Sequence, residues 1–383
     1  MIDKERIRRE VQRLAPELAA LSRLLFDHPE LGYREYRAAE WLSSSLARDG
    51  FEVQRPFCDL PTAWYAEHSF GPGGPCIALL AEYDALPEVG HGCGHNLIGV
   101  AAVGAARALA RAASPGRGRI VVIGCPAEEG GVEGAGGKVR LLEAGAFAGV
   151  DAAMLVHPAS VTAARTTSLA REALELEFRG RRAVDGLVQF YNSVNSLRQH
   201  LKADARIHGV VTEGGRDPVI IPDRAVARFY VRSASDTYLT EVVERLLSCA
   251  KGAALSTGVS LNHRRFSHRY ARLVTNEVLA ERFTRNVELL GHRVLREMRV
   301  GGSTDMGNVS QVLPALHAYV ALTDRPVPGH TREFARETVS SKGRRALLFA
   351  ATALAWTAYD LLLDERALRS AWEEHQLKAE DDQ

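Results

Sequence analysis

The sequence predicts an α/β fold: a largely parallel sheet into which a smaller ferredoxin-like (βαββαβ) unit is inserted. Three observations predict it. Continuous apolar runs, CIALLAEYDAL (76–86), RIVVIGC (119–125) and AAMLV (152–156), alternate with helical patterns, as strands covered on both faces do. Near residue 170 the pattern changes to alternating strands and amphipathic helices in the order βαββαβ. After residue 272 the first style returns, so the second unit lies inside the first.

Each element has its own reason. LAALSRLLF and RAAEWLSSSLARDG repeat apolar residues at helical spacing, and Gly50 closes the second as a left-handed cap. CIALLAEYDAL is a strand running into a turn at Pro87. NLIGVAAVGAARALARAA (96–113) is a helix of small residues suited to close packing on a sheet. In the inserted unit LELEF (174–178) alternates, VDGLVQFYNSVNSLRQHL is an amphipathic helix, and RIHGVVT (206–212) and AVARFYVR (225–232) are strands. Leu239, Val242, Val243, Leu246, Leu247 and Ala250 then mark a helix, and GVSLNHR a last strand. The larger domain is expected over 1–168 and 272–383, the inserted one over 169–271. The apolar run ALLFAATALAWTAY (346–359) is too short to span a bilayer and is expected as a buried helix.

With 383 residues the chain is long enough for two domains with real cores. Its 48 basic and 47 acidic residues nearly cancel, which gives no footprint for nucleic acid or an anionic membrane and points to a small-molecule substrate. The five cysteines (Cys58, Cys76, Cys93, Cys125, Cys249) are odd in number and scattered. No disulfide framework is visible, and a reducing, cytoplasmic setting is expected. MIDKERIRREVQRL is charged and helix-patterned, unlike a signal peptide.

Chemistry collects where the apolar strands end, the usual place for a site in an open α/β sheet. EYDALP, with Asp84, follows the first strand and HGCGHN (91–96) comes just after it. PAEEGG, with Glu128 and Glu129, follows the second strand, and His157 the third. Taken singly, Cys93 is a small buried thiol, the glutamates a solvated pair, His157 a strand-end residue and Asp84 a turn former. Together they suit zinc or a similar ion: Cys93 and His95 two residues apart in a glycine turn can face one hollow, and of two adjacent glutamates one can ligate while the other accepts a proton from water. Ser303, Thr304 and Asp305, in the Gly-rich GGSTDMG, form either a plain turn or a substrate contact. His91, His208 and His263 are expected to be structural or supporting. GGVEGAGGKV lacks the P-loop spacing, no G-x-G-x-x-G follows a strand, and GGSTDMG lacks the last glycine of a nucleophile elbow.

EYDALPEVGHGCGHNLIG, PAEEGG, LVHP, GGSTDMGNVS and PGHTREF occur in the order and context of the M20 metallopeptidases and amidohydrolases. The chain most resembles the branch holding the p-aminobenzoyl-glutamate hydrolase B subunit and the mammalian M20 domain-containing protein 2. The resemblance implies a catalytic domain with two divalent metal ions (zinc or manganese), an inserted lid that forms a homodimer, and hydrolysis of an amide or peptide bond in a dipeptide, N-acyl amino acid or aminobenzoyl-glutamate-like substrate. By motif it makes Cys93, His95, Glu129, His157 and His330 metal ligands, Glu128 the general base and Asp84 an orienting group, with Ser303, Thr304 and Asp305 contacting substrate. Glu82 stands where the longer HxD motif has its histidine.

Two departures stand out. FRGRRA runs directly into VDGLVQFYN, so the Ala-His-Ala/Ser motif of the family lid, whose histidine steadies the oxyanion, is missing at 183/184. Val219 in VIIPD stands where the family has asparagine. Loss of one oxyanion donor typically costs ~10²–10³ in rate. The rival expectation is therefore a metal-binding homologue with little or no turnover.

Overall fold

The computed structural model describes residues 2–381. Helices α1 (Ile2–Asp27) and α2 (Tyr36–Ala47) lead into strands β1 (Glu52–Gln54), β2 (Trp64–Gly71) and β3 (Cys76–Glu82). Then come α3 (His95–Ala112), β4 (Gly118–Cys125), α4 (Gly137–Glu143), β5 (Ala152–Ala159) and the short β6 (Thr166–Thr167). Next follow β7 (Ala170–Arg179), α5 (Ala183–Arg198), β8 (Arg206–Glu213), β9 (Arg224–Ser233), α6 (Asp236–Thr257) and β10 (Ser260–Arg265). The chain finishes with α7 (Glu277–Leu289), β11 (Met298–Arg299), α8 (Met306–Ser310), β12 (Ala315–Ala321), α9 (Arg332–Thr338), α10 (Ser341–Leu363) and α11 (Glu365–Asp381).

The larger sheet has the order β1-β2-β4-β3-β5-β12. Its β4-β3-β5-β12 core is parallel. Strand β3 shows why its sequence carries no alternation: Ile77, Leu79 and Ala81 join the core under α1, α3 and α10, while Cys76, Ala78 and Leu80 join the core on the opposite face. The small residues of α3 let it lie flat on this sheet. A Cβ on Gly99 would come within 2.7 Å of the Glu82 carbonyl oxygen. Strands β1 and β2, which sequence patterning does not reveal, extend the sheet antiparallel on one side. Only the first part of WYAEHSFG is deeply buried, so its periodicity is mixed.

The apolar C-terminal run becomes α10, longer than the pattern predicts. It is long and apolar enough to cross a membrane by length and composition, yet most of it is buried within the protein, with Ala351, Leu354, Ala355 and Leu361 in the main core.

The second sheet is antiparallel throughout, in the order β10-β7-β9-β8, which is the ferredoxin-like order. Its own core combines Leu174, Leu176, Phe178, Ala227, Phe229 and Val231 with Leu187 and Phe190 of α5 and Leu239, Val242 and Leu246 of α6. Ala183 and Val184 are consecutive residues in the first turn of α5, where the Gly186 amide donates to the Arg182 carbonyl at 3.0 Å.

Candidate active site

The carboxyl ends of β3, β4 and β5 converge, and the loops after β3 and β4 carry Asp84, Glu128 and Glu129 to one hollow. His157 sits inside β5, which runs to Ala159 and so past the expected strand end. The glycines around Cys93 have a steric reason. Gly94 has φ +85° and a Cβ there would lie 2.3 Å from Pro158; a Cβ on Gly92 would lie 2.5 Å from Val89. The turn can therefore press Cys93 against the end of β5 while starting α3 at His95.

His95, Glu129 and His157 are each held by a contact outside the ligand set. His95 Nδ1 lies 2.9 Å from Asp84 Oδ1, and the other Asp84 oxygen accepts from the Glu129 amide at 2.9 Å. One carboxylate thus orients two neighbours. His157 Nδ1 faces the Pro158 carbonyl oxygen at 2.8 Å, which leaves Nε2 beside Cys93 Sγ at 3.3 Å. His330, at φ +61° in the loop before α9, places Nε2 3.6 Å from Glu129 Oε1. The donor atoms of Cys93, His95 and His157 all lie within 4.8 Å of one another, and so do those of Cys93, Glu129 and His330. Cys93 is common to both triads. His91 instead turns its Nε2 to the Leu25 carbonyl oxygen at 3.1 Å.

This donor set fits a pair of cations. His95 Nε2 and Glu129 Oε1 are buried and have no hydrogen-bond partner among the described residues, a costly arrangement unless something positive sits between them. Burial, then the Glu129 carboxyl, pushes the Cys93 thiol well up. Burial and the nearby carboxyls of Glu82, Glu129 and Asp305 push Glu128 well up. Burial pushes His157 down to about 3, helped by His317, whose ring stacks 5.7 Å away. Thiolate, imidazole and carboxylate together are transition-metal donors.

The glutamate loop is pinned from the second sheet side. The Tyr270 hydroxyl donates to the Glu128 carbonyl oxygen at 2.6 Å and the Tyr230 hydroxyl to that of Gly130 at 2.5 Å. From the other side Glu35, fully buried, accepts from the Ala127 amide at 2.8 Å. A cleft of about 770 Å³ opens over the site, lined among others by Glu128, Glu129, His157, Arg171, Tyr230, Arg232, Ser303 and Thr304.

Asp305 corrects the sequence reading. It makes no contact with the cleft and is fully buried. Its Oδ1 lies 2.5 Å from Lys138 Nζ and its Oδ2 accepts from the Lys138 amide at 2.9 Å. Lys138 Nζ also lies 2.6 Å from Glu82 Oε1. Glu82, in the position of the family's HxD histidine, is thus tied to a lysine, although its other oxygen is 3.5 Å from His95 Nε2. Ser303 and Thr304 do border the cleft; the Ser303 hydroxyl accepts from Arg232 Nε at 3.3 Å. Sequence reasoning also passes over Lys138, Arg171, Arg232, Glu35 and His317. Lys138 had a weak signal, a basic residue at the end of the glycine-rich stretch that follows the glutamate pair.

Comparisons with known proteins bear on the fold and the family. Residues 78–352 match the model of peptidase family M20/M25/M40. The mouse Xaa-Arg dipeptidase is 34% identical over 409 aligned positions, covering 99% of this chain and 94% of the relative. Those positions outnumber the 383 residues of the chain, so the relative carries residues that have no counterpart here. The B subunit of p-aminobenzoyl-glutamate hydrolase from Escherichia coli is 29% identical, covering 92% of this chain and 90% of the relative. Among solved structures, an aminobenzoyl-glutamate utilization protein from Klebsiella pneumoniae superposes with a TM-score of 0.77 at 16% identity, over 93% of this chain and 98% of that one. A dinuclear metal-binding M20 peptidase from Bacillus subtilis gives 0.71 at 21% identity, over 92% and 99%. The structural likenesses carry the fold, and the sequence matches carry the kinship: the chain is a metal-dependent hydrolase that belongs to peptidase family M20/M25/M40.

Proposed function

We propose that the chain cleaves the amide bond of a small substrate with Glu128 as general base. One triad of ligands would be Cys93, His95 and His157, the other Cys93, Glu129 and His330. Held there, two cations would supply Lewis-acid polarisation of the amide carbonyl and would make water a better acid. Asp84 holds the His95 ring and the Glu129 backbone in place. Glu128 takes the proton from the attacking water and delivers it to the leaving amine nitrogen. The thiol and three imidazoles favour zinc; manganese is the alternative.

The observation that carries this reading is the place of Glu128. Its carboxyl lies with those of Glu129 and the His95 imidazole within one 4.8 Å cluster at the floor of the cleft. A binding homologue without turnover has no use for such a group, which counts against the rival reading despite the missing lid histidine. The relatives' names offer two kinds of leaving residue, a basic one in Xaa-Arg dipeptides and an acidic one in p-aminobenzoyl-glutamate. A homodimer through the second sheet is supported by β8, an edge strand with Val210 and Val211 exposed, and by the adjoining exposed Val219, Ile220 and Ile221. The free cysteines support a cytoplasmic setting.

The test is turnover of dipeptides, acyl-amino acids and aminobenzoyl-glutamate by metal-loaded protein, wild type against Glu128→Gln, with metal content measured on both. The expected result is a loss of ~10²–10⁴ in kcat with metal content retained. Equal turnover in the variant removes Glu128 from its role. A wild type that holds metal and turns over nothing revives the non-catalytic reading.

A further inference from the structure

Two arginines face each other across the roof of the cleft. Arg171 on β7 and Arg232 on β9 are Cα partners in the antiparallel register, so their side chains leave the same face of the sheet at the same rung. Like charges directly opposite each other destabilise a sheet. Elsewhere on the same pair of strands charge is matched: Glu175 is opposite Arg228 and their side chains pair at 2.7 Å, and the two guanidinium groups of the like-charged Arg179–Arg224 rung share the Glu177 carboxylate. The Arg171–Arg232 rung has no such carboxylate between its members. Neither arginine has an acidic partner among the described residues.

Arg171 is also buried, with 3% of its surface exposed. Its guanidinium packs on the rings of Tyr270 and Tyr230, its Nη2 donates to the Ser267 hydroxyl at 3.1 Å, and its Nε is buried with no partner. It presses against Gly130, the residue after Glu129, where a Cβ would lie 2.3 Å from Nη1. Arg232, half-buried, stacks over Tyr230 as well and reaches Ser303. Among the described residues the only carboxylates lining the cleft are Glu128 and Glu129, which belong to the metal end. Two guanidinium groups drawn out of solvent at one end of a cleft, with no countercharge there, need anions from outside.

We infer that Arg171 and Arg232 form a dianion subsite, and that the leaving half of the substrate carries two carboxylates, as an N-linked glutamate or aspartate does. This rests on the cleft being the substrate site. One carboxylate is the terminal one common to any such amino acid; the second satisfies the other arginine. A basic leaving residue would add a third positive charge to a wall that already holds two unpaired ones, so arginine is the disfavoured side chain and glutamate the favoured one. Arg171 and Arg232 are specificity-determining residues; nothing in their placement gives them a part in proton transfer.

The test separates binding from turnover. Zinc-loaded protein is titrated by calorimetry with L-glutamate, L-glutamine and L-arginine. The same preparation is assayed with p-aminobenzoyl-glutamate and its glutamine and arginine counterparts. Glutamate is expected to bind at least ~10-fold tighter than glutamine, the worth of one charge-assisted contact, with arginine weakest and kcat/KM in the same order. In Arg171→Gln the glutamate-to-glutamine ratio is expected to fall close to one, and in Arg171→Lys to stay in between, which a merely space-filling arginine would not produce. Arg232→Gln, at a less buried position, gives the same readout should Arg171→Gln fold poorly. Arginine binding as tightly as glutamate overturns the inference, as does a ratio that persists in both variants. If glutamate binds selectively but no substrate is turned over, the subsite stands and the hydrolytic reading falls. If all three substrates are cleaved without acid preference, the reverse holds.

Discussion

Lys138 and the Arg171–Arg232 pair are cations withdrawn from solvent on either side of the same glutamate loop, yet they are neutralised in opposite ways. Lys138 is fully enclosed and touches two carboxylates of its own chain, Glu82 and Asp305. Burial works against its charge, but these two acids hold its pKa well above the ordinary lysine value, and Lys138 in turn holds Glu82 down at about 2. Arg232 shows the opposite shift: burial and the neighbouring Arg171 push it down. The first cluster is complete before any ligand arrives, and the second is not. The difference separates charge that builds the site from charge that selects what enters it. Between them lies Glu128, whose carboxyl clusters both with Glu129 and His95 and with Glu82 and Asp305.

The sharpest way to break this comparison is to remove Lys138. Lys138→Met fills similar space but leaves Glu82 and Asp305 buried without a cation. Breaking one side of a buried ion cluster costs about 3–5 kcal/mol, so a large drop in the denaturant midpoint is expected, with metal affinity reduced because Glu82 adjoins His95. A midpoint within error of wild type would show that the cluster is no strut.

The sequence makes one half of this contrast far easier to read than the other. Apolar runs at 76–82, 119–125 and 152–156 reveal the parallel strands, and the site residues at their ends can be read as one pocket because strand ends in such sheets share an edge. The βαββαβ order is equally plain, since the alternation in Leu174, Leu176 and Phe178 and the helical spacing from Leu239 to Ala250 are local signals. What pairs with what is not local. Arg171 and Arg232 are each an ordinary polar residue on the outward face of an alternating strand; only register makes them opposite one another. Asp305 looks like a turn residue in a Gly-rich loop because its partner lies 167 positions away. Strand β2 stays hidden because its outer end is half exposed and its inner end buried, which erases periodicity.

Glu35 sharpens the comparison with a buried group that is neutralised by a third route, holding its proton. Burial, then the nearby Asp84 carboxylate, pushes it up to about 8 from an ordinary 4.5. The raised folded value means that the unfolded chain gives up this proton first. Below about pH 4.5 the group costs nothing. As pH rises towards 8 the unfolded state ionises while the folded state does not, so stability falls across that window and levels off above it. Glu35→Gln has no proton to lose and its amide oxygen can still accept from Ala127. Its stability relative to wild type is expected to rise by about 1–3 kcal/mol between pH 5 and pH 8, read as a growing difference in Tm. A difference that stays flat with pH would mean that Glu35 is ionised in the folded protein.

The smallest expected effect has the opposite sign to that of Lys138. Arg232→Gln removes one of two like charges on a shared rung and gives up a long contact to Ser303 and a stacking contact on the Tyr230 ring. Without ligand, stability should therefore hold or rise by less than about 1 kcal/mol, most visibly at low ionic strength where repulsion is least screened. Adding glutamate should reverse the ranking: an anion bound only by the folded state raises the wild-type Tm by mass action and leaves the variant nearly unmoved. A variant that is markedly less stable without ligand would make Arg232 a structural residue like Lys138, and the division between site-building and substrate-selecting charge would disappear.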